Sequence, residues 1–454
     1  MVTAEPEVRR AGRFADRPDD LRAKQLPPQP KARADVAVSR YVLSTKHLAP
    51  TIAGIVHILM IAPEPFFEPR GTPFSEYHRI RALLALGHTV DLVTYPFGRD
   101  VDLPGLRVVR CLRPPFIRSI GIGPSWSKVP LDLTLAATAM RLAVITRYDA
   151  VHSHEEGGAI GLLLAAVLRI PHLYDMHSSL PQQIANFGHG DKRWLAGMFG
   201  WLEKHLVRRS KVVIVICPQL AEVVRELDHD ARPILIENAP GSGDLPVAGS
   251  GAAVRASHGI EAGAPVVLYT GTFEHYQGLD LLFTAMSIVI RELPGAKLLL
   301  AGGQPGQIAA ARLEAEAAGL GNAAIFTGQR PAEEIPAYLD AATALVSPRS
   351  TGTNTPLKIY QYLRSGRPIV ATRLLTHTQV LDDSTAILTD PTPAAYAEGI
   401  VAALRDRERA ERVARQAREL AETKYSYEAY LDRTRVAVDR LFGTAQPEVA
   451  GGVA

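Results

Sequence analysis

The chain is poor in cysteine and has no long apolar run. Only two cysteines, Cys111 and Cys217, occur among its 454 residues, and both lie in apolar, strand-like stretches. This usage excludes a scaffold held by disulfides and favours buried thiols in a reducing compartment. No run reaches the roughly 18–20 apolar residues of a membrane-spanning helix, and the charged, proline-rich start does not resemble a signal peptide. We therefore expect a cytoplasmic protein.

A large excess of either charge is also missing. The formal net charge of +3 is too small to indicate a nucleic-acid partner, and no nucleic-acid-binding motif occurs. The positive excess lies at the start, where residues 1–50 contain ten Lys and Arg against six Asp and Glu. Because this segment is rich in Pro, Arg and Ala and has no hydrophobic period, we predict a disordered basic tail over 1–52.

What the sequence does contain is a repeated alternation of apolar strands and amphipathic helices, which begins with a strand near 55–62. Strand–helix–strand units of this kind imply right-handed parallel crossovers. A Gly-, Pro- and Ser-rich stretch at 239–252 interrupts the alternation and indicates an interdomain linker. The sequence predicts an α/β protein with a tail at 1–52, an N-terminal Rossmann-like domain at 53–238, a linker at 239–256, a C-terminal Rossmann-like domain at 257–424, a last helix at 425–442 and a tail at 443–454.

The most informative stretch is 343–372, in which an apolar strand is followed by a polar loop, a helix and a second strand. Pro356 opens the helix and Gly366 closes it, as expected of these two residue types. The free N–H groups of a helix that follows a parallel strand form an anion site. Lys358 and Gln361 project from one face of the helix because they are three residues apart. The pattern predicts a phosphorylated ligand at the helix start, and an ordinary strand–helix corner is the alternative.

Other candidate residues lie at the predicted carboxyl ends of strands. Gly71 and Thr72 follow the first strand, where a glycine lets the backbone approach a phosphate or a sugar. His177 follows a middle strand and either donates to a substrate hydroxyl or is a structural histidine satisfied by Asp175. In the second domain the same position is taken by Gly271, Thr272, Gln277 and Gly303, for which plain turns are the alternative explanation.

Two further patterns have a structural and a functional interpretation. His152 and His154 with the following glutamates suggest a metal, but no further ligand is indicated and we expect none. The apolar loop 113–128 and the basic, aromatic segment 192–211 are candidate contacts with a membrane surface or a lipid acceptor. Packing against the sheet is the alternative for both. The loop residues proposed for that contact are Phe116, Arg118 and Trp126.

Placed in order, these pieces resemble the family-4 glycosyltransferases of the GT-B fold (glycosyl transferases group 1) over roughly 55–440. The most specific match is PLKIYQYLRSGRPIV at 356–370, and the others are Gly71, His177, VIVICPQL at 213–220, VLYTG at 267–271, QGLDLL at 277–282 and AKLLLAGG at 296–303. The resemblance implies two Rossmann-like domains that face each other across a cleft, with the last helix crossing back to the first domain. It implies a hexosyl transfer from a nucleotide-sugar donor to a hydroxyl acceptor, with retention, no metal and no other cofactor.

The donor contacts implied by the resemblance are changed in this chain. Two family glutamates correspond to Thr353 and Gln361, an arginine to Thr272 and a lysine to Gln277, and a later acidic position to Gln379. Glutamine still donates to and accepts from ribose hydroxyls. Neutralisation of the diphosphate must then come from other groups. We assign it to Lys358, Arg349 and the backbone around Thr353, Asn354, Thr355, Pro356 and Leu357.

These residues support one main hypothesis and two alternatives. We expect an active enzyme in which His177, Lys358 and Gln361 are catalytic. The alternatives are a non-catalytic relative that binds a nucleotide sugar or a partner enzyme, and an isomerase that acts on a nucleotide sugar. The expected acceptor is a lipid-linked saccharide or glycolipid used in cell-envelope or polysaccharide synthesis, at the inner face of the cytoplasmic membrane.

Overall fold

The computed structural model describes residues 54–67, 71–118, 120, 128–181, 193–237 and 248–443. The predicted tail at 1–52, Trp126, most of the predicted linker and the C-terminal tail after Gly443 lie outside these ranges. All the described residues belong to one compact unit. Within these ranges no helix combines the length and the apolar character needed to cross a membrane.

The first sheet has seven strands, all parallel, and follows the order β3-β2-β1-β4-β5-β6-β7. The order reverses between β1 and β4, so the crevice outside their carboxyl ends is the natural ligand site. The strands are β1 His57–Ala62, β2 Thr89–Thr94, β3 Leu106–Arg110, β4 Ala150–His154, β5 His172–Met176, β6 Val212–Val215 and β7 Ile234–Leu235.

Helices cover both faces of this sheet. One face carries four helices, α2 Lys128–Ile145, α3 Gly157–Leu168, α4 Arg193–Arg209 and α5 Pro218–Leu227. The other carries α1 Gly71–Ala85 and the last helix of the chain. The strands are buried on both faces because both are covered, which explains their continuous apolar character in the sequence.

The second sheet has six parallel strands in the order β10-β9-β8-β11-β12-β13. Its reversal point lies between β8 and β11. The strands are β8 Val266–Gly271, β9 Lys297–Gly302, β10 Ala324–Gly328, β11 Ala344–Ser347, β12 Ile369–Thr372 and β13 Ile387–Thr389. The helices are α6 Gly251–Ser257, α7 Leu279–Glu292, α8 Pro305–Ala317, α9 Ile335–Ala341, α10 Leu357–Arg364, α11 Leu375–Thr378, α12 Pro393–Arg405 and α13 Arg407–Thr423.

Two local details differ from the sequence-based expectation. Pro356 is the residue before the first turn of α10, with φ −64° and ψ 134°, so the helix begins one residue later than predicted. The fixed φ of proline is compatible with this extended geometry as well as with a helix. Helix α6 begins inside the range predicted as linker, because Gly251 N–H donates to Asp340 Oδ2 at 2.8 Å and anchors it to the second sheet's layer.

The last helix, α14 Tyr427–Phe442, joins the two halves of the molecule. Tyr425, just before it, packs in the core beneath the second sheet, whereas Tyr430 and Leu441 pack against strands of the first sheet. Ser426 caps α14 by accepting a hydrogen bond from Ala429 N–H at 3.1 Å. The helix therefore crosses from the second domain back to the first, as the resemblance implies.

Candidate active site

Lys358 is a buried cation at the reversal point of the second sheet. Its Nζ lies 3.9 Å from the centroid of the Tyr269 ring, and a Cβ on Gly271 would come within 3.5 Å of it. Among the described residues, this Nζ has no hydrogen-bond partner. Burial, reinforced by the neighbouring Arg349 guanidinium, holds the pKa of Lys358 well below its ordinary value. An anion that reached this ammonium would stabilise its charged form.

Arg349 is the second cation, on the loop between β11 and α10. Its Nη1 donates to Asn354 O at 2.6 Å and to Thr376 Oγ1 at 2.7 Å, and its guanidinium lies 5.0 Å from the centre of the Tyr276 ring. Burial lowers the pKa of Arg349 from its ordinary value. Neither Arg349 nor Lys358 forms an ion pair with any residue in the part of the chain that the structure describes.

Glycines allow backbone segments to approach one another around these two cations. Gly278 has φ +72°, and a Cβ there would lie 2.0 Å from Pro348 O, at the end of β11. Gly302 has φ +136°, and a Cβ there would lie 1.9 Å from Gly271 O. Larger residues would displace the ends of β8, β9 and β11, so the glycines fix the shape of the site beside Lys358.

The positions at which family charges are replaced lie around the same crevice. Gln277 is buried, and its Nε2 donates to Thr272 Oγ1 at 3.4 Å, while its Oε1 has no partner in the described part of the chain. Gln361 is half-buried, one turn after Lys358 on α10. Thr353 O accepts a hydrogen bond from Gln379 Nε2 at 2.6 Å. These side chains supply neutral hydrogen-bonding groups where the resemblance implies charged ones.

Asp175 is the centre of a buried charge cluster at the carboxyl end of β5. Arg79 Nε, from α1, donates to Asp175 Oδ2 at 2.9 Å, and His177 Nε2 lies 3.2 Å from Oδ1. Burial acts to raise the pKa of Asp175, but Arg79 and His177 hold it well below its ordinary value. For His177, burial acts to lower the pKa, but Asp175 raises it above its ordinary value. The cluster therefore favours an ionised Asp175 beside a protonated His177.

Carboxyl groups line the neighbouring ends of β1 and β4. Burial and the nearby Glu64 carboxylate raise the pKa of Glu76 well above its ordinary value. Burial and Glu156 raise the pKa of Glu155 to about 8, and Glu155 accepts a hydrogen bond from Ser178 Oγ at 2.9 Å. Glu155 also has φ +46°, a strained conformation of the kind that clusters at functional sites.

One group in this cluster has the composition of a metal site. The ligand atoms of His152, His154 and Asp175 lie within 4.8 Å of one another. Burial lowers the pKa of both histidines, which leaves them neutral as metal ligands must be. However, the Asp175 carboxylate already contacts Arg79 and His177, and a metal ion would have to displace these two cations from it. The absence of a metal stays a prediction.

Asn354 and Gln379 connect the two halves of the site. Asn354 Nδ2 donates to His177 O at 2.7 Å, and Gln219 N–H, in the first turn of α5, donates to Gln379 Oε1 at 2.8 Å. The loop that carries Arg349 thus touches the residue that the first domain presents at the end of β5. The structure brings together Lys358, Arg349, Asn354 and His177, which the sequence had placed on separate domains.

The remaining candidates lie in different surroundings. Thr355 is buried, Leu357 is half-buried in the first turn of α10, and Gly303 packs beneath the Phe273 ring. Gly71 is the first residue of α1 and Thr72, next to it, is half-buried. Phe116 and Arg118 are exposed on the loop after β3, the edge strand of the first sheet. They are therefore candidates for surface contacts and not for the crevice.

Sequence reasoning missed Arg79 and Glu76. Both are buried on α1, three residues apart and on one face of the helix. A charged pair on the buried side of an amphipathic helix needs polar partners, so this spacing could have shown that α1 faces a polar cluster. Asp175, the partner of Arg79, lies 96 residues away in the sequence, and no local pattern indicates that contact.

Taken together, the geometry offers two kinds of binding surface. The second sheet presents the buried Lys358, the half-buried Arg349 and neutral hydrogen-bonding groups to an anionic ligand. The first sheet presents a protonated histidine and several carboxyl groups to a polar, hydroxyl-bearing ligand. Because Asn354 contacts the His177 backbone, the two ligands would meet near His177.

Known proteins resemble this chain in sequence and in fold. Residues 77–239 match the family model described as glycosyl transferase 4-like domain, and residues 264–406 match glycosyl transferases group 1. The chain is 27% identical over 376 residues to a D-inositol 3-phosphate glycosyltransferase of Corynebacterium urealyticum, covering 76% of this chain and 85% of that protein.

Two other similarities extend the comparison. A 2-deoxystreptamine N-acetyl-D-glucosaminyltransferase of Streptomyces fradiae is 32% identical over 269 residues, 55% of this chain and 61% of that protein. The structure of a sucrose-phosphate synthase from Thermosynechococcus elongatus superposes with a TM-score of 0.71 at 22% identity, covering 86% of this chain and all of that one. The structural likeness shows a shared fold.

Proposed function

The chain belongs to the group 1 glycosyl transferases, has the GT-B fold and is a glycosyltransferase; from that premise we propose which groups bind its substrates. The donor is a nucleotide sugar whose diphosphate lies against Lys358, Arg349 and the first N–H groups of α10. The acceptor hydroxyl approaches from the first domain, beside His177. The reaction proceeds with retention and without a metal.

The observation that carries this proposal is the pair of basic side chains at the reversal point of the second sheet, the buried Lys358 and the half-buried Arg349. Neither Lys358 nor Arg349 is paired with a carboxylate within the described ranges, and burial lowers the pKa of both. Uncompensated buried charges are costly, and a protein keeps them where a ligand of opposite charge repays the cost. A diphosphate supplies that charge next to a helix N-terminus, where its dipole adds to the attraction.

The proposed mechanism uses the donor's own leaving group as the base. The bond between the sugar and the diphosphate breaks through an oxocarbenium-like transition state, and the acceptor oxygen bonds to the same face of the sugar. The departing diphosphate oxygen takes the acceptor proton. Lys358 and Arg349 stabilise the charge that develops on the diphosphate, and the protonated His177 orients the sugar.

Names of the relatives suggest two classes of acceptor, D-inositol 3-phosphate and 2-deoxystreptamine. Within the described residues near His177, Arg79 is paired with Asp175 and Lys128 with Glu156, whereas Glu76 and Glu155 are carboxyl groups with raised pKa values. This distribution favours a neutral or amine-bearing acceptor over a phosphate. A lipid-linked saccharide or glycolipid at the cytoplasmic side of the membrane fits that class and stays our expectation.

A thermal-shift screen tests the donor assignment. Nucleoside diphosphates and nucleotide sugars that bind the folded state raise the melting temperature, and the rise grows with the logarithm of the ligand concentration relative to its dissociation constant. We expect a shift with at least one nucleoside diphosphate and a larger one with the cognate nucleotide sugar. No shift across the common bases would contradict the proposal.

Activity assays separate the proposed enzyme from its alternatives. The replacement of two family glutamates by Thr353 and Gln361 is the observation that favours a non-catalytic relative. Tight donor binding without transfer or hydrolysis across the three acceptor classes would support that alternative. A new free or nucleotide-linked sugar formed without acceptor would support an isomerase. Transfer that retains the anomeric configuration supports the main proposal.

A further inference from the structure

The outer surface of the first domain carries an exposed apolar stripe on α2. Val129, Leu133, Met140 and Val144 lie at spacings of four, seven and four residues and so share one side of the helix. They are between 49% and 81% exposed, and Ile145 beside them is 65% exposed. The opposite side of α2 packs on the sheet, so the stripe has no role in the core of the described molecule.

The neighbouring helices extend this stripe into one surface. Leu163 and Val167 of α3 are 59% and 69% exposed, and Trp201 of α4 is 66% exposed. Helix α3 lies between α2 and α4 on the same side of the sheet, and its Gly158 packs against Leu206 of α4. We refer to the exposed side chains of α2, α3 and α4 as the three-helix face.

The exposed charged side chains within α2, α3 and α4 are all positive, and Asp149, an exposed carboxylate shortly after α2, accepts a hydrogen bond from His57 N–H at 2.8 Å. The exposed cations, on the helices or directly after them, are Arg141, Arg147, Arg169, Lys204, Arg208 and Arg209. The three helices contain two acidic residues, and both serve partners in the interior. Asp132 accepts a hydrogen bond from Tyr95 Oη, and Glu203 accepts one from Leu180 N–H at 2.7 Å. The face therefore combines exposed apolar side chains with an uncompensated positive charge.

The combination of apolar and positive side chains favours some binding partners of the three-helix face over others. An exposed apolar surface of this extent is uncommon on a monomer and indicates a contact with another surface. In a symmetric pair of identical chains the face would meet itself, so its cations would face cations with no exposed carboxylate on these helices to pair with them. An anionic lipid surface accepts both features, because aliphatic and Trp side chains enter the interface while Arg and Lys contact lipid phosphates.

We propose that the three-helix face docks the protein on an anionic lipid bilayer. The proposal concerns a surface that is separate from the crevice between the two sheets and does not depend on the proposed reaction. It adds α2 and α3 to α4, which is the helix of the predicted segment 192–211, and it does not use the loop containing Phe116. Docking would hold the catalytic domain at a surface on which a lipid-borne acceptor is available.

Vesicle flotation of the full-length chain tests this proposal. We expect the protein to float with phosphatidylglycerol-containing vesicles at low salt, to bind them less at high salt, and not to float with vesicles of phosphatidylcholine alone. A basic residue near an anionic surface contributes about 1 kcal/mol. The double variant Arg141→Gln, Arg169→Gln should therefore lower the partition coefficient roughly 25-fold. The pair Leu133→Gln, Val144→Gln should lower binding at every salt concentration.

Matched variants on the other domain serve as controls. Leu313→Gln replaces a side chain that is 69% exposed on α8, and Arg415→Gln removes an exposed cation of α13. Both should float like the wild type. Absence of flotation with anionic vesicles at low salt would overturn the proposal. Self-association in sedimentation velocity that Leu133→Gln abolishes, without vesicle binding, would assign the face to a second copy instead. Nucleotide binding should be unchanged in every variant, which separates this outcome from failure of the proposed function.

Discussion

At the scale of single residues, two buried basic side chains, Lys358 and Arg79, differ in whether a carboxylate lies beside them. Lys358 has no anion within the described ranges, so burial works against its charge. Arg79 has the Asp175 carboxylate at 2.9 Å and remains charged. The surroundings of Lys358 therefore suit a residue that binds an anionic ligand, and those of Arg79 suit a residue that stabilises the fold. Their substitutions should therefore have opposite effects on stability.

Replacing Lys358 by Met should stabilise the unliganded protein and abolish its response to a nucleoside diphosphate. Methionine has a similar length and leaves no buried amine, so we expect the free energy of unfolding to rise by about 1 kcal/mol or more. Urea denaturation with and without the nucleotide measures both effects. A Lys358→Met protein that is less stable and still responds fully to the nucleotide would contradict the assignment.

Donor binding should also take up a proton on Lys358. The pKa of this group is lowered in the unliganded protein, and a bound diphosphate raises it by favouring the charged form. Affinity should therefore fall as the pH rises above the pKa of the unliganded group. Calorimetry at several pH values at which the diphosphate is fully ionised, each in buffers of different ionisation enthalpy, measures the uptake. Lys358→Met is the control and should show none.

Arg79 should act on catalysis through Asp175 and His177. Without Arg79, the Asp175 carboxylate would keep only its two histidine neighbours, His152 and His177, and a nearby positive charge would be lost, so the pKa of His177 should rise further. In the plot of kcat/KM against pH, the limb that results from the titration of His177 should lie at higher pH in Arg79→Met than in the wild type. Because the pKa of His177 is raised on folding, protonation of His177 also stabilises the folded wild type. This stabilisation is complete at pH values below the ordinary histidine pKa of about 6.5. It is lost as the pH rises through the pKa of His177 in the folded protein.

Two variants keep this prediction testable if Arg79→Met folds poorly. Arg79→Lys keeps the charge but loses the planar guanidinium, and should leave the limb close to its wild-type position. Thr434→Val removes the hydroxyl that accepts from Arg79 Nη1 at 3.4 Å and should cost about 1 kcal/mol of stability. An Arg79→Met profile that drops in height without moving along the pH axis would assign Arg79 a purely structural role.

At the scale of elements, the proposed donor site lies between the ends of β8, β9 and β11 and the start of α10. Glycines set the distances between these ends, because the backbones approach more closely than any side chain allows. Helix α10 ends at Arg364, and Gly366, two residues later, has φ +71°, so the length of the helix and the position of Lys358 are fixed at both ends. The site therefore depends on backbone geometry as much as on the identity of its side chains.

Gly278→Ala should test this dependence. A Cβ there would lie 2.0 Å from Pro348 O and would require a left-handed conformation, so we expect a loss of about 3 kcal/mol or more and weaker nucleotide binding. Gly319→Ala is the matched control, because Gly319 has φ +78° but open space around it. It should cost about 1 kcal/mol and leave nucleotide binding unchanged. Equal effects in the two variants would show that the close approach at Gly278 is unimportant.

Sequence patterns predicted the elements well and their long-range contacts poorly. Strand–helix alternation and the punctuation by Pro356 and Gly366 are local signals, and they located both the sheets and the 343–372 stretch. The same signals placed Lys358 on a face of α10 but gave no information about its contact with Tyr269, which is distant in sequence. Arg79 and Asp175 meet only because α1 packs beside β5, and such packing depends on the whole core.

At the scale of the whole molecule, the two sheets are joined by side chains that contact both. Gln379 accepts from Gln219 N–H of the first domain and donates to Thr353 O of the second, at 2.8 and 2.6 Å. Asn354 contacts the His177 carbonyl, and α14 spans from the second domain's core to Arg79. The arrangement of donor and acceptor therefore depends on few polar contacts near the crevice and on one long helix behind it.

Gln379→Ala should loosen this arrangement without destroying the donor site. Nucleoside diphosphate affinity depends on the second domain and should stay within a factor of about two of the wild type, whereas kcat and KM for transfer should both worsen. Calorimetry and steady-state kinetics on the same preparation separate the two effects. A loss of nucleotide affinity equal to the loss of transfer would place Gln379 in the donor site itself.

The central claim is that Lys358 stabilises the diphosphate during transfer, and the most direct test is the value of kcat/KM for sugar transfer by Lys358→Ala. A lost hydrogen bond to a charged group costs about 1.5–3 kcal/mol, so we expect kcat/KM to fall roughly 10- to 150-fold with every nucleotide sugar that the wild type accepts. Arg415→Ala, which removes an exposed cation of α13, should behave as the wild type. Full transfer by Lys358→Ala would contradict the account.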